Sequence, residues 1–215
     1  MLGDAITEAF RGTAIGEVQD RTIGHDQMLS STLAVDFPKP LVLAISADET
    51  QHVLWRLGEG GELGNPALRN DPALMVSMLI GTNNLGNAKH TPAATALGVA
   101  AVARELLNRT RARLLVNALL PRDETLRGKP QPTLMPQVAR VNRLVNETIH
   151  ELAARFPGRV RMVDCSFVFV PTRRDRRLEV NEQLMPDGIH PSPDGSRLWA
   201  GCVRDALRDW QQQRV

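Results

Sequence analysis

Short apolar runs alternate with stretches of helical periodicity along this chain. Residues 92–108 and 133–155 carry apolar side chains three and four positions apart, which predicts two amphipathic helices. A third helix is predicted to begin at Pro193, where Ser192 is placed to cap it. Four further runs are apolar without strict alternation, as expected for strands buried on both faces: 41–46, 74–80, 112–120 and 159–165.

The order of these elements predicts the fold class. Strands that alternate with helices pair in parallel through right-handed crossovers, and the helices cover both faces of the sheet. We therefore predict an α/β protein with a single domain over residues 1–215, a three-layer α/β/α sandwich around a central parallel sheet of about five strands. In such sheets, ligands bind beyond the carboxyl ends of the strands.

Composition excludes several classes of protein. Apolar residues make up 42% of the chain and charged residues 23%, which is typical of a globular domain. No apolar run reaches the roughly 18 residues needed to span a bilayer, so no membrane span is predicted. The net charge is only +2, from 26 basic and 24 acidic residues, and this balance gives no reason to expect a nucleic-acid partner.

One basic cluster departs from this even distribution of charge. Arg173, Arg174, Arg176 and Arg177 lie close together in the sequence. A solvated loop is one interpretation, because no aromatic side chains are interleaved to stack on bases. A docking surface for an acidic protein partner is the other interpretation.

The two cysteines, Cys165 and Cys202, are too few for a disulfide scaffold. No histidine or further cysteine stands near them at the spacing of a zinc site. We therefore predict that the two cysteines are buried free thiols. For the chain as a whole, we predict neither a metal nor another cofactor.

Candidate chemistry lies in four blocks of turn-forming residues, which a parallel sheet would gather at one edge. Gly, Asp and Asn are ordinary turn residues, so each block alone is uninformative. Their order along the chain makes the set specific. The blocks are Gly-Asp-Ala-Ile-Thr at 3–7, Ala-Asp-Glu-Thr at 47–50, Gly-Thr-Asn-Asn at 81–84 and Asp-Gly-Ile-His-Pro at 187–191.

Together the four blocks resemble those of the SGNH, or GDSL, hydrolase superfamily, whose members have a flavodoxin-like fold. Within it, the chain is most similar to the catalytic-subunit type of platelet-activating-factor acetylhydrolases. That likeness rests on QHVLWRL, GTNN, LLPR and VARVNRLVNETI, and it extends from Gly3 to about Trp199.

The resemblance implies a role for each block. A serine at position 5 would attack an ester carbonyl, with His190 as general base and Asp187 orienting the imidazole. The backbone N–H groups of residues 5 and 47 and the side-chain amide of Asn83 would bind the oxyanion. For an active member, the implied substrate is a small acyl ester.

This chain departs from the family pattern in three places. Ala5 stands where the family has its serine nucleophile, so no acyl-enzyme can form. Ala47 stands where glycine is usual, and a positive φ there would cost alanine about 1–2 kcal/mol or bend the loop. Only Met1 and Leu2 precede Gly3, where the family has a full first strand, so either residues ahead of Met1 are missing from this sequence or the first strand is a stub.

Two interpretations of Ala5 remain open. The favoured one is a natural pseudoenzyme that serves as a binding or structural subunit, with the arginine cluster as a candidate contact surface. The alternative is a Ser-to-Ala variant of an active hydrolase of short-acyl or acetyl esters. The cytoplasm is the default compartment, although residues ahead of Met1 could have carried a targeting segment.

Overall fold

A computed structural model describes residues 1–58, 61–127, 133–170 and 179–213, and it has five parallel strands in one sheet. The strands are β1 (Leu2–Gly3), β2 (Leu43–Ala44), β3 (Met75–Leu79), β4 (Arg113–Asn117) and β5 (Val160–Val163). Their spatial order is β2-β1-β3-β4-β5. This is the doubly wound order of flavodoxin-like folds, which confirms the predicted fold class.

Helices flank the sheet. In the described parts of the chain they are α1 (Ala5–Glu8), α2 (His25–Ser31), α3 (Leu33–Asp36), α4 (Thr50–Leu57), α5 (Pro66–Asn70), α6 (Thr82–Gly86), α7 (Pro92–Arg109), α8 (Met135–Arg155) and α9 (Pro193–Gln212). The two helices predicted from periodicity are confirmed as α7 and α8, and the helix predicted to begin at Pro193 is confirmed as α9. Ser192 caps α9, as its hydroxyl accepts the backbone N–H of Gly195 at 3.2 Å. None of these helices is long and apolar enough to cross a membrane.

The helices form two layers. Helices α2, α3 and α9 pack against one another, and helices α4, α7 and α8 form a second group. With the strand order above, right-handed crossovers place these groups on opposite faces of the sheet. Every residue of β4 is buried between the layers, and the ring of Phe10 stacks on Trp199 of α9 at 5.5 Å.

Strand β1 lies in the middle of the sheet although it has only two residues. Leu2 pairs with Leu43 of β2 and with Met78 of β3. A cavity of about 510 Å³ lies at the amino-terminal edge of these strands, and Leu2, Leu43 and Val76 are part of its mainly apolar lining. The opposite, carboxyl-terminal edge holds the segments that follow β1, β2 and β3, side by side.

The prediction of free thiols is wrong. Cys165, just after β5, and Cys202, on α9, form a disulfide with a Cα–Cα distance of 6.0 Å. The two cysteines are 37 positions apart in the sequence, and only the packing of α9 beside the end of β5 brings them together. Their spacing alone carried no sign of that contact.

Candidate active site

Ala5 follows β1 and is the first residue of α1. Gly3 permits the tight passage from strand to helix, because a Cβ at this position would overlap Oγ1 of Thr7 and the backbone oxygen of Leu79. Ala5 itself is buried. The backbone therefore holds residue 5 firmly, but its side chain is only a methyl group.

Asp4 caps this helix from a fully buried position. Its Oδ1 accepts the backbone N–H of Ile6 at 3.1 Å. Burial, together with a smaller contribution from the nearby charge of Asp48, raises the pKa of Asp4 to about 7. Asp4 is therefore a carboxyl group that titrates near neutral pH directly beside position 5.

Ala47 follows β2 in a left-handed conformation, with φ of 69°. Alanine in this region costs about 1–2 kcal/mol relative to glycine, so the loop keeps its shape under strain instead of bending away. The preceding residue, Ser46, is anchored to α1, since the carboxylate of Glu8 accepts its backbone N–H at 2.6 Å. The segments holding residues 5 and 47 are thus connected by a direct hydrogen bond.

Asn83 is the second residue of α6, just beyond β3. Its Nδ2 donates to the backbone oxygen of Asp48 at 2.9 Å, and its Oδ1 accepts from Nδ2 of Asn87 at 3.1 Å. These contacts turn the amide nitrogen of Asn83 toward the loop that contains Ala47. Within the described ranges this nitrogen has one acceptor, so its second N–H group can donate to a ligand.

Asp187 and His190 form a hydrogen-bonded pair within one turn. Oδ2 of Asp187 lies 2.8 Å from Nδ1 of His190, and Oδ1 accepts the backbone N–H of His190 at 2.7 Å. Burial alone would raise the pKa of Asp187, but the hydrogen bond and charge of His190 outweigh it and hold that pKa well below its ordinary range. Since the carboxylate can only accept, Nδ1 of His190 is the donor in this contact, and the neutral imidazole in this tautomer has its lone pair on Nε2.

The loop that carries this pair is fixed to the segment after β4. The backbone oxygen of Gly188 accepts the N–H of Asp123 at 2.9 Å. Gly188 has φ of 71°, and a Cβ there would overlap the backbone oxygen of Asp123. Glycine is therefore required at this position for the loop to pack as it does.

Two buried residues that sequence reasoning gave no role also hold the site segments. Nε2 of His25, on α2, lies 3.1 Å from the backbone oxygen of Pro191, directly after His190. Nη1 of Arg122 donates to the backbone oxygen of Thr82, directly before Asn83, at 2.9 Å. No spacing in the sequence connects these residues to their partners. In the sequence, Arg122 is marked only as the last residue of the LLPR stretch, which resembles a family motif.

The segments that hold Ala5, Ala47 and Asn83 are thus joined at the carboxyl ends of three adjacent strands, and the Asp187–His190 pair is attached through the segment after β4. The arginine cluster, Arg173 to Arg177, lies outside the described residues. Within the described ranges, no group of three or more His, Cys, Asp or Glu side chains is placed to hold a metal ion.

Among curated proteins, the chain is similar to subunits of platelet-activating factor acetylhydrolase IB. It is 37% identical to the alpha2 subunit of Gallus gallus over 110 residues, covering 50% of this chain and 42% of the relative. It is 36% identical to the alpha1 subunit of Rattus norvegicus over 132 residues, covering 60% of this chain and 48% of the relative. The matches therefore span about half the length of these relatives.

Solved structures share the fold. A GDSL-like lipase from Bacteroides thetaiotaomicron superposes with a TM-score of 0.65 at 18% identity, covering 97% of this chain and 86% of that one. An acetylxylan esterase from Geobacillus stearothermophilus superposes with a TM-score of 0.61 at 17% identity, covering 97% and 91% of the two chains. The model of the GDSL-like lipase/acylhydrolase family matches residues 1–198, and the chain belongs to this family.

Proposed function

We propose that the carboxyl-terminal edge of β1, β2 and β3 is an ester-binding site of the SGNH type that lacks its nucleophile. In this proposal the chain is a pseudoenzyme, which binds a small acyl ester and serves as a binding or structural subunit. The observation that carries the proposal is the 2.8 Å contact between Asp187 and His190, because an acid–base pair is retained in a chain with Ala5 at the nucleophile position.

The proposed roles follow from the chemistry of ester hydrolysis. With serine at position 5, Oγ would attack the carbonyl carbon while Nε2 of His190 took the hydroxyl proton. His190 would then return that proton to the leaving alkoxide, and water would release the acid by the same route. The N–H groups of residues 5 and 47 and the amide of Asn83 would stabilise the oxyanion, and removing one such donor typically costs about 3–4 kcal/mol.

Ala5 removes the attacking atom and leaves the rest of this arrangement. Loss of the triad serine lowers kcat by about a millionfold in a protease with the same triad. Ester hydrolysis by the serine route is therefore abolished in this chain. Ester binding is not abolished, because none of the proposed oxyanion donors depends on a serine side chain.

Ala47 favours the pseudoenzyme over the alternative. A variant made to trap a substrate needs only the change at position 5, whereas this chain also has an alanine in the strained conformation at position 47. The alternative is a Ser-to-Ala variant of an active short-acyl or acetyl ester hydrolase. It is supported by Asn83, Asp187 and His190, all three of which have residue types suited to catalysis.

The ester class and the subunit role draw on the relatives. Those matched in sequence are named as acetylhydrolase subunits, and one structural neighbour is named as an acetylxylan esterase. We therefore propose an acetyl or other short acyl ester as ligand.

A protein partner could contact Arg173 to Arg177, and charge reversal at Arg173 and Arg176 should then weaken co-purification of that partner in a salt-dependent way.

Ester binding without turnover tests this function directly. Titration of the chain with ethyl acetate should shift the NMR signals of the His190 ring without producing acetate. Asn83→Ala should weaken this binding about fivefold, the effect of one lost hydrogen bond. Unchanged binding in a folded Asn83→Ala variant would contradict the proposed site.

A further inference from the structure

A two-residue turn after α1 has an unusual residue at its tip. Ala14 and Glu17 exchange both backbone hydrogen bonds, at 2.7 and 3.2 Å. Between them, Ile15 and Gly16 have φ of 56° and 78°, the left-handed pair of a type I′ turn. Asn or Gly is the usual first residue of that pair, and a β-branched residue with positive φ is a backbone outlier.

The turn is held rigidly beside the proposed oxyanion loop. The carboxylate of Glu8 accepts the backbone N–H of Gly16 at 2.8 Å and the hydroxyl of Thr13 at 3.0 Å. The backbone N–H of Ile15 donates to Oγ of Ser46 at 3.1 Å. Ser46 directly precedes Ala47, so Ile15 lies next to the segment that contains a proposed oxyanion donor.

The side chain of Ile15 contributes little to the packing of the fold, because it is 74% exposed. Val18 and Ile23 further along the same segment, and Ile45 beside Ser46, are exposed as well. Ile15 therefore adds little hydrophobic stabilisation to the fold, although its positive φ strains the backbone. Backbone strain of this kind clusters at active sites, ligand clamps and switch regions.

We propose that Ile15 is a specificity-determining residue, an apolar lip that contacts the hydrocarbon chain of a bound ester. This inference rests on the proposed function, since the ester carbonyl must lie at residues 5, 47 and 83. We expect Ile15 to contact a hydrocarbon part of the ligand, because an isoleucine side chain offers only apolar contact. The hydrocarbon belongs to either the acyl or the alcohol side of the ester, and two isomeric esters distinguish these sources.

Binding of three esters to the protein tests this role of Ile15. Because position 5 is alanine, the protein should bind the esters without hydrolysing them by the serine route. Ethyl acetate is the short reference, hexyl acetate extends the alcohol, and ethyl hexanoate extends the acyl chain by the same number of carbons. One of the two isomers should bind more tightly than ethyl acetate. Ile15→Asn should weaken the binding of that isomer about 5- to 20-fold more than the binding of ethyl acetate.

Stability separates this role from a structural one. Ile15→Asn should raise Tm by about 2–4 °C, because asparagine accepts the left-handed conformation, while it weakens binding of the long ester. Val35→Asn is the matched control, an exposed β-branched residue on α3 with helical backbone, and it should leave the discrimination between the three esters unchanged.

The lip is contradicted if neither isomer binds more tightly than ethyl acetate, or if Ile15→Asn weakens all three esters by one common factor or not at all. Asn83→Ala reports separately on the proposed function, because it should weaken all three esters alike. An effect of Ile15→Asn on the long ester with none from Asn83→Ala would overturn the proposed site, and this inference with it.

Discussion

The carboxylate of Glu8 accepts both the backbone N–H of Ser46, at 2.6 Å, and its hydroxyl, at 2.5 Å. Glu8 closes the helix that begins at Ala5, and Ser46 directly precedes Ala47. One buried side chain therefore fixes two segments of the proposed site relative to each other. The contact explains how Ala47 is kept in a conformation that alanine alone disfavours.

Glu8→Gln should lower the free energy of unfolding at pH 7 by about 2–4 kcal/mol. The amide has one acceptor oxygen, and its NH₂ group would face the N–H donors that now bind the carboxylate. Urea unfolding measures the change. Glu17→Gln, at an exposed position, is the control and should stay within about 0.5 kcal/mol of the parent.

The effect of Glu8 should depend on pH. Burial alone would raise its pKa, but hydrogen bonds from Ser46 and the 13–16 segment outweigh this effect and lower the pKa to about 2. Because the folded pKa lies below the ordinary value of about 4.3, the ionised group stabilises the fold above that value and ceases to do so as the pH falls toward 2. The parent and Glu8→Gln should therefore converge between pH 5 and pH 2, and a constant difference would contradict this assignment.

Asp4 should show the opposite dependence. Its pKa is raised to about 7, so between about pH 4 and pH 7 the folded state binds a proton that the unfolded state releases, and stability falls as the pH rises. Asp4→Asn keeps a good helix cap and removes the buried charge. The variant should be more stable than the parent by about 2–4 kcal/mol at pH 8 and by much less at pH 5. Equal differences at the two pH values would refute the assignment.

Gly86 should not tolerate a side chain. A Cβ there would overlap the guanidinium of Arg122, which is held in place by Thr82 and Glu124. Gly86→Ala should therefore cost about 1–3 kcal/mol of stability. Gly201→Ala is the matched control, because a Cβ at that helical position meets no atom of the described residues, and it should stabilise the protein by about 0.5–1 kcal/mol. Equal effects of the two substitutions would show that Arg122 is not fixed as described.

The disulfide between Cys165 and Cys202 should contribute about 2–4 kcal/mol. The double variant Cys165→Ala with Cys202→Ala should lose this amount in urea unfolding. A thiol reagent added to the unfolded, unreduced protein should find no reactive group. Two reactive thiols would restore the prediction of free cysteines.

The parts of the fold that were predicted from the sequence are those with local signals. Periodicity marked α7 and α8, and a cap with proline marked the start of α9. The buried runs marked β3, β4 and β5, but the 41–46 run holds only Leu43–Ala44 as paired strand. Adjacent parallel strands then required the blocks after them to share one edge.

What could not be predicted depends on contacts between distant segments. His25 meets Pro191 across 166 positions, and Arg122 meets Thr82 across 40. The left-handed turn at Ile15 was also hidden, because isoleucine is not a residue that signals such a turn. In each case a buried partner from elsewhere in the chain decides the local conformation.

Ester hydrolysis by Ala5→Ser shows whether the proposed ester site lacks only its nucleophile. Because Asn83, Asp187 and His190 remain, the added hydroxyl should complete the triad, and p-nitrophenyl acetate should be hydrolysed at least about a hundredfold faster than by the parent. Adding His190→Ala should return the rate to the parent level. Ala5→Ser with Ala47→Gly should exceed the single variant if strain at position 47 limits the site. No hydrolysis by either serine variant, in a protein shown to be folded, would refute an ester site in which only the nucleophile is missing.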